Sequence, residues 1–193
     1  KSRNYYQHGG GVAVSGAQGL VQRCVIECNT NAYREASVHG GGLYLAAGRA
    51  ENCLIRGNLS YVGGGAAVKQ NGILRNCTVV GNRAIIDVEK HQTGGYGGGV
   101  YLLGGSIENT VFWDNTSERV GYDGEPEWYG STRTDFLRCA LPAGVATNQY
   151  TGGDFIQPSD PRFRDAAGGN FRLLRASPLV NAGTNLTYPA AEL

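Results

Sequence analysis

The chain has 193 residues, a formal net charge of +1 and 17% charged side chains. Near-neutrality removes the electrostatic case for nucleic acid or an anionic membrane surface as a partner. The length fits one domain, and no apolar run is long enough to span a bilayer.

Residues 1 to 8 lead into the first of four copies of one text. These run from Gly9 (GGGVAVSGAQGLVQRCVIECN), Gly40 (GGGLYLAAGRAENCLIRGN), Gly63 (GGGAAVKQNGILRNCTVVGN) and Gly97 (GGGVYLLGGSIENTVFWDN). The intervals between the triple glycines are 31, 23 and 34 residues. The distance from the Cys/Thr position to the final asparagine stays at five in every copy. A constant unit with insertion at one point predicts stacked repeats with loops on one edge. The inserts fall at 30–39, 83–96 and 116–130.

Inside each copy the strand after the glycines alternates. Val12/Val14, Leu43/Leu45, Ala66/Val68 and Val100/Leu102 share one face, while Ala13, Tyr44, Ala67 and Tyr101 share the other. Further along, Val21, Ala50, Leu74 and Ile107 turn inward, and Gln22, Glu51, Arg75 and Glu108 are expected in solvent. Arg23, Asn52, Asn76 and Asn109 follow, at a position that favours left-handed backbone and axial side-chain bonding. Cys24, Cys53, Cys77 and Thr110 form the next column, and small buried free thiols explain it better than disulfides. Ile26, Ile55, Val79 and Phe112 complete the apolar interior, and Asn29, Asn58, Asn82 and Asn115 end each unit. The pattern predicts several short strands per triangular coil.

These units, GGG-x-[YA]-[LV] followed by N-C-x-[IV]-x-G-N, resemble the repeats of chlamydial polymorphic membrane proteins. The tail (Asp160–Phe163, Asp165 to Leu173, Ser177 to Asn185) is similar to the ending of such repeat domains. The resemblance covers about residues 9 to 115 and 154 to 185. It implies an all-β, right-handed parallel β-helix of five or six coils over 1–153, with 154–193 closing the same domain. It also implies a secreted or cell-surface bacterial setting and a structural or adhesive role, with a polysaccharide or neighbouring copies of the chain as partner. No cap is visible at the first repeat, which raises the expectation of further coils upstream or a partner there.

Three groups of residues bear chemistry. His8 and His39 each precede a triple glycine, so stacking sets them side by side near Tyr44, where they form a metal or acid/base candidate. The 83–96 insert carries Asp87, Glu89, Lys90 and His91, candidates for catalysis if the chain is a polysaccharide lyase or glycoside hydrolase. Lyases of β-helix type, some calcium-dependent, place charges on outward strand positions, and here those are Ala13, Tyr44, Ala67 and Tyr101. No carboxylate pair is in register for glycoside hydrolysis, and no cofactor, Ca2+ included, is indicated. Third, Tyr122, Glu127, Trp128 and Tyr129, with Tyr44 and Tyr101, offer aromatic surface for sugar rings or for packing. A structural or adhesive module is therefore the leading expectation; the alternatives are a carbohydrate-active enzyme or glycan-binding module using these loops, and an end-to-end fibre subunit.

Overall fold

The computed structural model describes residues 8–32, 38–88, 93–119, 127–130, 135–145 and 153–185. Among them the secondary structure is all β, without a helix. Successive copies of the repeat lie on one another as parallel strands, in the register set by the sequence. Val12, Ala13 and Val14 pair with Leu43, Tyr44 and Leu45; these pair with Ala66, Ala67 and Val68, and those with Val100, Tyr101 and Leu102. The segment after the Cys/Thr position stacks likewise, Val25–Glu27 on Leu54–Arg56 on Thr78–Val80 on Val111–Trp113. Asp135–Ala140 pairs with both runs, so a large parallel sheet nearly closes on itself in a solenoid-like shape. A smaller parallel sheet joins Thr30–Asn31, Leu59–Ser60, Arg83–Ala84 and Thr116–Ser117. The repeating unit thus runs two residues past the final asparagine, and the expected inserts begin only after this third short strand.

Three left-handed corners per layer let so short a unit close. The first precedes each strand, as at Gly63 (φ 67°). The second is Arg23, Asn52, Asn76 and Asn109, with φ between 46° and 55°, the geometry expected of that column. The third is Cys28, Gly57, Gly81 and Asp114, with φ between 56° and 62°. Left-handed backbone costs least in glycine, which has no β-carbon, and in asparagine and aspartate, so most of the column composition follows from the corner, Arg23 and Cys28 being the departures.

The inward columns make the core. Leu43, Leu45, Ala50, Ile55, Ala66, Val68, Leu74, Val79, Val100, Leu102, Ile107 and Phe112 are all fully buried. At roughly 25 cal/mol per Å² of apolar surface removed from water, this interior is the main force holding the layers together. In the later layers it becomes aromatic. Trp128 pairs with Val100 and Phe136 with Ile107, and the ring of Phe136 packs against Trp128 at 5.8 Å and Phe155 at 5.1 Å. In the first layer, Val12, Val14 and Val21 are only half-buried although their partners Leu43, Leu45 and Ala50 are completely enclosed. That layer has a neighbour on one side only among the described residues.

The tail departs from expectation. Gly153–Ile156 adds a parallel strand to Asp135–Ala140, but the hairpin Phe163–Asp165 with Asn170–Leu173 lies along the flank instead of covering the end. Arg56 Nη1 donates to Gly169 O at 3.3 Å. Asn109 grips Thr184 from both sides, Nδ2 donating to its carbonyl and Oδ1 accepting from its N–H, each at 2.9 Å. Arg138 Nε donates to Ala182 O at 2.9 Å. Two of the three anchors, Asn109 and Arg138, are left-handed corner residues.

Candidate functional site

The outward columns decide what the molecule offers to a ligand, and most are occupied by their own neighbours. Along the column of Gln22, Glu51, Arg75 and Glu108, Arg75 lies 3.3 Å from Glu51 and 2.7 Å from Glu108. Arg49 adds a second contact to Glu51 at 3.2 Å. Glu51 was expected in solvent but is 3% exposed, because charges of alternating sign in adjacent layers can desolvate together. Elsewhere Arg56 bonds Glu27 at 2.6 Å, Arg83 pairs with Glu118, and Arg138 pairs with Asp154 at 2.9 Å. The Ile86 N–H and Arg83 together hold the Glu118 carboxyl below its ordinary range.

The rings expected to meet sugars stack on one another. His8 lies on Tyr44, centroids 4.3 Å apart and planes 12° apart. His39 stacks on Tyr101 at 5.5 Å, Tyr101 on Tyr129 at 5.6 Å, and Tyr129 contacts Tyr96 at 4.5 Å. Lys69 Nζ and Arg119 sit over the faces of Tyr44 and Tyr96, and Arg119 also bonds the Tyr96 hydroxyl. Faces used this way have little area left for a sugar, and Tyr44 is only 7% exposed.

Two further expectations are corrected. Trp128 is buried in the core, because it pairs with Val100 on the inward side of the strand; its indole N–H has no acceptor among the described residues. Glu127, beside it, is also buried and closes the asparagine column instead of lining a loop. In that column Asn58 Oδ1 accepts from the N–H and Nδ2 of Asn29, both at 3.0 Å. Asn82 Oδ1 does the same for Asn58, and Asn115 Oδ1 for Asn82, all at 2.9 Å. Asn115 finds Glu127 in the place of a fifth asparagine, its Nδ2 and N–H donating to the two carboxylate oxygens. Burial pushes the Glu127 carboxyl up to about 7, helped by the Asp114 charge, although the Asn115 bonds oppose it. The axial bonding expected of the corner asparagines is thus found in this inner column.

All five cysteines are free thiols. Cys24, expected to be buried, is exposed in the first layer. The column expected from the repeat is buried at Cys53 and Cys77, with Cys53 N–H donating to Cys77 Sγ at 3.4 Å and Cys77 N–H to Thr110 Oγ1 at 3.3 Å. Cys139 is likewise buried. Burial raises the Cys77 thiol, and pushes Cys139 up to about 12, so both stay protonated and unreactive.

Of the insert candidates, Asp87 is buried on the two-residue strand Ile86–Asp87, antiparallel to Thr93–Gly94. Glu89, Lys90 and His91 lie outside the described residues, as does Tyr122. His8 and His39 do come together, as a parallel bridge with Nδ1 atoms 3.4 Å apart. Among the described residues no group of three or more His, Cys, Asp and Glu side chains is placed to hold a metal ion.

The feature that sequence reasoning missed is a lateral groove of 430 Å³ between the stack and the tail hairpin. Its floor is the outward column Glu27, Arg56, Val80 and Trp113, in register across four layers. Ala167 and Phe171 of the hairpin form the opposite wall. An aromatic and aliphatic floor with an ion pair at one end and Asp114 at the rim has the mixed character that a sugar ring requires. The signal was legible in part: Trp113 alternates with inward Phe112, so it had to face out. The hairpin that turns this column into a groove was not, because nothing local in residues 163–173 says which layer they lie against. In comparisons with known proteins, no family model matches the chain, and no curated protein or solved structure is significantly similar to it.

Proposed function

We propose that the chain is a right-handed parallel β-helix serving as a structural and adhesive module of a secreted or cell-surface bacterial protein. The observation that carries this reading is the mutual pairing of outward charges across layers: Glu51, Arg75 and Glu108, Glu27 with Arg56, and Arg138 with Asp154. A hydrolase or lyase needs carboxylates or a base held toward an open cleft and left for the substrate. Here those groups satisfy one another and stiffen the stack. Right-handedness is the ordinary outcome for parallel strands joined by crossovers. The repeat resemblance supports the same assignment. A glycan is the ligand class that suits the Trp113 groove.

A glycan array run beside a polysaccharide depolymerisation assay on one sample tests the reading. Binding without product, weakened at least fivefold by Trp113→Ala, is the expected result. Release of oligosaccharide products by the wild-type chain overturns it in favour of an enzyme.

Self-association end to end is a second reading, favoured by the half-buried Val12, Val14 and Val21 of the first layer, which has a neighbour on one side only among the described residues. Light scattering that shows mass rising with concentration, and Val14→Lys abolishing the rise, is its expected signature.

A further inference from the structure

His8 and His39 meet because each precedes a triple glycine, and the register of the following strands leaves no other arrangement. Tyr44 alternates with Ala13 and Ala67 in the outward column, and Ala67 in turn separates it from Tyr101. The two alanines leave the space into which the imidazoles fold. Each ring is then fixed by a tyrosine, His8 on Tyr44 and His39 on Tyr101. Both histidines are half-buried, so solvent still reaches them.

The distance between the two Nδ1 atoms is 3.4 Å. Two imidazole nitrogens bound at about 2.05 Å to one tetrahedral ion stand about 3.3 Å apart. We propose that His8 and His39 form a two-imidazole chelate for a divalent transition-metal ion of the Cu2+ or Zn2+ class on the outer face of the first two layers. Among the described residues the protein supplies two nitrogens. Imidazole selects this class over Ca2+ and Mg2+, which want oxygen. Stacking on the tyrosines removes most of the rotamer entropy that an exposed histidine pair would lose on binding. Burial and the charge of Lys69 hold His8 below its ordinary range. In the metal-free protein one Nδ1–H can donate to the other Nδ1. On binding, that proton passes through solvent to Nε2 of the same ring, so the exchange is a tautomer change with no net proton release. The Lys69 ammonium, over the face of Tyr44, also repels an incoming cation and weakens the site.

Calorimetric titration of the full chain with CuCl2 and with ZnCl2 tests the proposal. A Cys24→Ser/Cys28→Ser background removes the two exposed thiols as competing ligands. One ion per chain is expected, with at least tenfold weaker binding in His8→Ala and in His39→Ala, and no change in His91→Ala. Thermal melts without metal show whether each variant folds. The Cu2+ electron paramagnetic resonance spectrum, which needs no variant, is expected to show hyperfine coupling to two nitrogens. Absence of saturable binding, a spectrum with fewer than two nitrogens, or full binding in a folded His39→Ala variant overturns it.

Discussion

Glu127 occupies a position where the first four layers carry asparagine, and its burial makes its contribution to stability depend on pH. Its carboxyl titrates at about 7 in the folded chain against an ordinary 4.5. Between those values the folded state holds a proton that the unfolded state has released. The stability it contributes is therefore present below about pH 4.5, fades as pH rises, and is lost above about 7. Glutamine keeps an acceptor for Asn115 without the charge. Glu127→Gln is expected to stabilise the protein by on the order of 2 kcal/mol at pH 8 and by little at pH 5, as read from urea denaturation at the two pH values. Glycines separate just as sharply. A β-carbon on Gly64 would lie 2.4 Å from Arg83 O and 2.5 Å from Gly98 O, both backbone. At Gly81, with φ 62°, the same carbon meets nothing within 4 Å. Gly64→Ala is expected to cost more than about 3 kcal/mol and Gly81→Ala about 1 to 2, from conformational strain alone. Equal costs at both positions would contradict the stacking distance between layers.

At the scale of the element, the asparagine column works as one hydrogen-bonded unit. Asn82, fully buried, accepts from Asn58 and donates to Ile55 O and Asn115 Oδ1. Removing its amide orphans several buried groups, so Asn82→Ala is expected to cost about 3 kcal/mol or more. Asn29, half-buried in the first layer, makes its amide bond to Asn58 only at the column's end. Asn29→Ala is expected to cost about 1 kcal/mol, and the two melting curves taken together check the gradient. The constant five-residue step from Cys/Thr to Asn made this column and its register legible from the sequence. The left-handed corners were legible too, since Asn52, Asn76 and Asn109 recur where the chain turns. Glu127 and Trp128 were not, because an irregular insert precedes them and the triple glycine that would mark their layer is missing. Aromatics beside acidic residues read as a loop until their partner strand, Val100–Glu108, is known.

Across the whole molecule, the paired outward charges, the stacked tyrosines and the flanking tail depend on one arrangement, the parallel in-register layering of successive repeats. The tail's path was illegible in advance, because its contacts join residues 113 and 75 positions apart, Arg56 to Gly169 and Asn109 to Thr184. Disulfide trapping in the small sheet tests the layering most directly. Arg83 and Thr116 are exposed partners in adjacent layers, whereas Thr30 and Arg83 are separated by the layer of Leu59. Neighbouring layers put α-carbons about 4.8 Å apart, inside the range a disulfide spans, and a two-layer gap does not. Mild oxidation of Arg83→Cys/Thr116→Cys, followed by peptide mapping, is expected to give the cross-link in high yield, with none in Thr30→Cys/Arg83→Cys. The reverse pattern, or equal yields, would contradict the layered architecture.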